Sequence, residues 1–232
     1  MSYRSKLTDD RIAELRDWHE RAYQELRTAR ERTLSYLGLE LVVPPGVFPP
    51  TPTSDLLGRA VIDECTAADR VLDMGTGSGV NAILAARAGA DVLGVDVNPA
   101  SVAAAERNAA RNGVTARFAV SDVFEGRDVS DGTFDLMVID PPFRWFAPRD
   151  LAERAITDEG YAATARFFDG VPERLRPGGR VLMFFGTSGD QEHILGLAEG
   201  AGLRAEVVAT RRLTRRGTTV DYSTFRLTRP AP

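Results

Sequence analysis

From residue 70 onward the chain alternates short, nearly uninterrupted apolar runs with segments of helical periodicity, and this alternation narrows the available folds more than any other feature. RVLDM, DVLGVD, TARFAV and FDLMVID have the β-branched, continuous apolar character of strands covered on both faces. VNAILAARAG, and NPASVAAAERNAARNG closed by Gly113, lie between them with apolar residues at helical spacing. DEGYAATARFFDGVPERL and DQEHILGLAEGAG do the same on either side of the strand GRVLMFFG. Strand, helix, strand in succession predicts a mostly parallel sheet with helices on both faces. RAEVVATRRL and TVDYSTFRLTR, joined at TRRGT, follow one another without a helix and predict an antiparallel hairpin at one edge. The expected fold class is therefore α/β, a doubly wound, mostly parallel seven-stranded sheet with an antiparallel edge hairpin.

Residues 8–39, TDDRIAELRDWHERAYQELRTARERTLSYLGL, read as one long helix. Thr8 caps it, Asp9 and Asp10 suit its first turn, and Ile12, Leu15, Trp18, Ala22, Leu26 and Ala29 share a face. The stretch LVVPPGVFPPTPTSD then prevents regular structure and marks a join or an ordered lid, after which a helix starts near Thr53 or Ser54. The expected division is an N-terminal helical extension over residues 1–45 and one domain over residues 46–232. Trp18, Tyr23 and Tyr36 are assigned to core packing, with pocket closure as the alternative.

Length and charge exclude several classes. At 232 residues, 43% hydrophobic and 27% charged, the chain has the balance of a soluble globular protein with one substantial core. A net charge of −4 and a pI near 5.4 argue against a broad basic face for duplex nucleic acid. TRRLTRRG, with Arg211, Arg212, Arg215 and Arg216, reads first as a hairpin with solvated arginines and second as a phosphate-contacting patch. One cysteine, Cys65, excludes an internal disulfide, and with only His19 and His193 available no cysteine- or histidine-rich metal site forms, so no metal is expected. No apolar stretch approaches the ~20 residues that span a bilayer. The N-terminus has no signal-peptide core, and a cytoplasmic location without membrane contact is expected.

The first strand of the alternating region runs into VLDMGTGSGVN, residues 71–81, where Gly75, Gly77 and Gly79 occupy the turn into the next helix. Val80 stands where a dinucleotide fingerprint needs its third glycine, so phosphate binding is not favoured. Asp96 ends the second strand about twenty residues past the loop, where a carboxylate accepts from both hydroxyls of a ribose. Asn98, before Pro99, is the better cap of the following helix.

The G-x-G-x-G spacing, with Asp73 two residues before the first glycine, resembles the first motif of class I S-adenosylmethionine-dependent methyltransferases. The resemblance implies that Asp73, Gly75, Thr76, Gly77 and Gly79 hold the methionine end of S-adenosylmethionine and that Asp96, with Val97, takes the ribose. Asp122 in AVSDVFEG matches the acid or amide that bonds the adenine amino group, with Val123 or Phe124 against the ring. A carboxylate near ammonium and sulfonium charges is electrostatically apt.

The fourth strand ends in IDPPFRW, where Pro141 and Pro142 make the backbone after Asp140 rigid. DPPF at this position resembles the (Asn/Asp)-Pro-Pro-(Phe/Tyr) motif of amino-methyltransferases, including nucleobase methyltransferases and the HemK-like glutamine methyltransferases. The resemblance implies that Asp140 and the Pro141 carbonyl accept hydrogen bonds from the target NH₂ and that Phe143 stacks on its flat face. Residues 46–186 are similar to the HemK-like group, with two departures. That group has Asn-Pro-Pro-Tyr where this chain has Asp140 and Phe143, and its N-terminal bundle is reduced here to little more than one helix. The expectation is an S-adenosylmethionine-dependent N-methyltransferase, a monomer or homodimer, acting on an amino, amide or guanidino nitrogen of a protein side chain or a small molecule. A nucleobase acceptor and a non-catalytic S-adenosylmethionine-binding module are the alternatives.

Overall fold

The computed structural model describes residues 3–215 and 217–230. In chain order the elements are α1 (Asp9–Thr28), β1 (Arg32–Tyr36), β2 (Leu39–Val43), α2 (Asp55–Glu64), β3 (Arg70–Met74), α3 (Val80–Arg87), β4 (Asp91–Asp96) and α4 (Pro99–Arg111). They continue with β5 (Arg117–Val120), α5 (Arg127–Ser130), β6 (Phe134–Ile139), α6 (Ala162–Arg174), β7 (Leu175–Gly186), α7 (Gln191–Gly200), β8 (Arg204–Arg215) and β9 (Thr218–Thr228).

Seven strands form one sheet in the order β5-β4-β3-β6-β7-β9-β8. All neighbours from β5 to β7 run parallel, and β9 pairs antiparallel with both β7 and β8. The sheet has a core on each face, and β6 shows why its sequence carries no polar alternation. Leu136 and Val138 point to one side, against Leu57 and Val61 of α2 and Ala82 and Ile83 of α3. Met137 and Ile139 point to the other, with Phe167 and Phe168 of α6 and Ile194 of α7 in the same cluster. A strand buried on both faces stabilises the fold at each apolar residue, each large side chain by roughly 1.5–3 kcal/mol. The order places β3, β4 and β6 side by side, so the loops after them share one edge of the sheet.

The expected single helix over residues 8–39 is corrected. α1 has the Thr8 cap but ends at Thr28, and β1 and β2 form an antiparallel hairpin. Leu37 and Gly38 make its turn with φ of 51° and 75°, the conformation a tight hairpin needs at both central positions. Leu39, Leu41 and Val43 face inward while Glu40 faces out, a period of two that overrides the helical spacing. The hairpin is fastened to α4 by two asparagines. Asn108 Oδ1 accepts from Val42 N at 2.8 Å and its Nδ2 donates to Val42 O at 3.1 Å. Asn112 repeats the pair on Glu40, at 3.1 and 2.9 Å.

Candidate active site

The glycine loop follows β3 because only residues free of a Cβ take its turns easily: Gly75, Gly77 and Gly79 have φ of 74°, 55° and 88°. Gly75 and Thr76 both donate their backbone N–H to Val95 O at 2.8 Å, which holds the loop against β4. At Gly79 a Cβ would stand 2.9 Å from that of Ala105, so this glycine lets α3 and α4 approach.

A cavity of about 630 Å³ opens where the loops after β3, β4, β5 and β6 converge. Gly75, Thr76, Gly77, Asp96, Val97, Asp122, Val123, Asp140 and Pro141, each expected at the site, line it together. Asp73, Gly79 and Phe143 stand behind its wall. Asp73 is 2% exposed and accepts from Thr76 Oγ1 at 2.6 Å and Ala82 N at 3.1 Å, so its carboxylate braces the loop from beneath. Burial, with Asp96 adding to it, pushes Asp73 up to about 6. Phe143 turns into an aromatic cluster, its ring centroid 4.7 Å from Phe185 and 5.7 Å from Phe184.

The lining acids differ in their surroundings. Asp96 accepts from Gly77 N at 2.9 Å and Asn98 N at 2.8 Å, and burial holds its carboxyl above the usual range against these donors. Asp122 is also partly buried, but Arg154 at 3.0 Å and Arg166 at 2.6 Å outweigh that effect and hold it below the usual range. Val123, next to it, has φ of 54°, a strained geometry for a β-branched residue that Ser121 supports by donating to Val123 O at 2.7 Å. Asp140 is open to the cavity, and no described group of the chain donates to it. Water reaches its carboxylate, yet protein packed around it and the negative charge of Asp73 push it up to about 7.

Tyr36, for which pocket closure was the alternative to core packing, lines the cavity from β1, and several further lining residues were not read from the sequence as site residues. Phe48, Pro49 and Pro50 of the proline segment are among them. Arg154, Thr157, Asp158 and Glu159 come from the irregular segment after DPPF. Trp18 and Tyr23 pack on that same segment, Trp18 under Arg144 and Tyr23 under Arg149. Of the basic stretch, Arg211 pairs with Asp55 at 2.6 Å and Arg212 with Asp221 at 2.6 Å. Arg216 and the side chain of Arg215 lie outside the described residues.

The methyltransferase small domain profile matches residues 38–212. The chain belongs to this family. The release factor glutamine methyltransferase of Bordetella pertussis is 36% identical over 209 residues, 80% of this chain and 77% of that protein. The release factor glutamine methyltransferase of Geobacter sulfurreducens is 31% identical over 183 residues, 73% of this chain and 63% of that protein. A solved T. thermophilus 16S rRNA N2 methyltransferase, in complex with AdoMet and guanosine, superposes with a TM-score of 0.61 at 26% identity, over 87% of this chain and 50% of that one. The chain is thus a class I S-adenosylmethionine-dependent N-methyltransferase of HemK-like type.

The residues of this methyltransferase fit that methyl donor. Carboxylates at Asp96, Asp122 and Asp140 suit hydroxyls, an amino group and positive charge, while Val97, Val123, Ile139 and Phe167 supply apolar wall. Gly75 has nothing within 4 Å of where a Cβ would stand, which leaves its backbone bare to a ligand. No helix among the described residues is long and apolar enough to cross a membrane.

Proposed function

We propose that this methyltransferase methylates a side-chain carboxamide nitrogen of a protein, of the glutamine type. The observation that carries the reading is Asp140, a carboxylate in the cavity beside the glycine loop to which no described residue donates a hydrogen bond. A carboxamide nitrogen shares its lone pair with the carbonyl and is a poor nucleophile. Asp140 and the Pro141 carbonyl, kept rigid by the adjacent proline rings, accept its two hydrogens and turn the lone pair into the cavity. S-adenosylmethionine, when bound, supplies an electrophilic methyl carbon on a sulfonium. Ionised Asp140 stabilises the positive charge that grows on the nitrogen and accepts the proton the nitrogen then sheds.

In this reading Gly75, Thr76 and Gly77 hold the methionine end, Asp96 and Val97 the ribose, and Asp122 and Val123 the adenine, while Asp73 and Gly79 shape the loop from behind. Two observations favour an amide over a nucleobase. Phe143 packs in the aromatic cluster beside β7 and does not line the cavity, and Arg211 and Arg212 are paired with acids instead of presented to phosphates. The Bordetella and Geobacter relatives, both release factor glutamine methyltransferases, point to the same acceptor chemistry. We take residues 46–232 as the methyltransferase domain and residues 1–45 as an extension, in a cytoplasmic protein that works as a monomer or homodimer.

The test is to incubate the protein with methyl-labelled S-adenosylmethionine and an extract from cells that lack it, then to separate protein, RNA and small molecules. The expected result is label in protein, located by tandem mass spectrometry on an N-methylated glutamine. Label confined to RNA bases, the reading favoured by the guanosine-bound relative, contradicts the proposal, as does label confined to small molecules.

A further inference from the structure

The segment of residues 143–161 forms one wall of the cavity, and it is held from outside by α1. Glu153 is 1% exposed and lies 2.8 Å from His19 Nε2 of α1. The same carboxylate accepts from Arg149 N at 2.5 Å and Arg149 Nη2 at 2.7 Å. Arg149 in turn reaches Glu20 of α1 at 2.8 Å and stacks over the Tyr23 ring at 3.8 Å. Tyr23 OH donates to Asp150 Oδ2 at 2.5 Å, and Phe146 meets Arg16 and His19. Cation, carboxylate and aromatic contacts thus converge from one face of α1 onto residues 144–153.

The next residue, Arg154, points the other way. Its Nη2 donates to Asp122 Oδ2 at 3.0 Å, and Arg166 from α6 donates to Asp122 Oδ1 at 2.6 Å. Adjacent residues of one short helical turn, Glu153–Ala155, therefore tie α1 to the acid at the far side of the cavity. A carboxylate has lone pairs beyond those two arginines use, so Asp122 remains able to accept from a ligand while it is held ionised and oriented.

We propose that α1 is a clamp on the cofactor cavity and that Glu153 is the positioning residue through which it acts, setting Arg154 and thereby Asp122 for the adenosine end of S-adenosylmethionine. The proposal rests on the reading of Asp122 as the adenine acceptor. It assigns α1 to the cofactor, whereas an extension serving only the acceptor would leave cofactor affinity untouched.

The test is calorimetric titration of the full chain with S-adenosylmethionine and, separately, with adenosine. Glu153→Gln and Arg154→Met are each expected to weaken both ligands by the same factor, about tenfold, the size usual for coupling between two sites. Either change combined with Asp122→Asn is expected to add little to the loss from Asp122→Asn alone. A merely structural Glu153 would instead lower the melting temperature while the folded fraction bound as wild type. Where Glu153→Gln fails to fold, Arg154→Met decides, because it leaves the Glu153–His19 contact in place. If Asp122→Asn weakens binding but Arg154→Met binds as tightly as wild type or more tightly, the clamp is wrong and the site reading stands. If Asp122→Asn itself binds as wild type, the adenine reading fails and the clamp with it.

Discussion

Gly77 donates its backbone N–H to Asp96 Oδ2 at 2.9 Å, so the glycine loop after β3 and the carboxylate that ends β4 form one unit. Asp96 therefore has two tasks, shaping the loop and facing a ribose. Asp96→Ala is expected to weaken S-adenosylmethionine binding by ~1–3 kcal/mol, the cost of losing a charged acceptor. Titration calorimetry checks this, and unchanged affinity would remove Asp96 from the cofactor site.

Asn108, fully buried on α4, connects the hairpin to the same loop: Nδ2 donates to Val42 O and, at 2.9 Å, to Ser78 O. Asn108→Ala leaves these backbone groups without their partner, which costs about 1–3 kcal/mol. A lower melting temperature together with weaker cofactor binding is expected. A fall in melting temperature alone would show that the hairpin supports the fold without supporting the loop.

Asp140 gives a pH signature with a definite sign. Its carboxyl is pushed up to about 7 in the folded protein from an ordinary value of 3.8. The folded chain thus holds this proton more tightly than the unfolded chain, and the group makes folding less favourable as pH rises between about 4 and about 7. Asp140→Asn removes that term, so denaturant unfolding is expected to show a stabilised variant at pH 8 and no gain at pH 4. Asp73, also raised, leaves part of the slope in place. Equal effects at both pH values would contradict the raised value.

Phe143 offers a separate check on the acceptor. Because its ring packs with Phe184 and Phe185 and not on the cavity wall, Phe143→Ala is expected to lower stability by about 2–4 kcal/mol, near the range for large-to-small core changes. The KM for a glutamine acceptor is expected to change little. A large rise in KM with little loss of stability would return Phe143 to a stacking role and favour a flat acceptor.

The sheet was legible because strands buried on both faces are mostly apolar, and β3, β4 and β6 are short enough for turn residues to bound them. The cavity was legible for the same reason: Gly75, Asp96 and Asp140 stand at strand ends, where topology alone brings them together. The β1–β2 hairpin was not, since Leu34 and Leu37 continue the helical spacing of α1 and only the inward period of Leu39, Leu41 and Val43 distinguishes it. Asp73 was misplaced because its partners, Thr76 Oγ1 and Ala82 N, exist only once the loop closes over it. Arg154 and Phe143 depend on contacts with Asp122 and with β7, distant in sequence, and their neighbours carry no periodic pattern that announces them.

The central claim is that Asp140 contributes to the reaction and not to the architecture. The measurement is methyl transfer from labelled S-adenosylmethionine into the responsive protein fraction, with melting temperature and cofactor affinity read on the same preparation of Asp140→Ala. The account predicts a folded variant with near wild-type cofactor affinity whose turnover drops by roughly a hundredfold or more, the loss of a transition-state contact worth ~3 kcal/mol. Asp140→Asn, whose amide oxygen still accepts, retains more activity. Full activity in a stably folded Asp140→Ala variant would contradict the account.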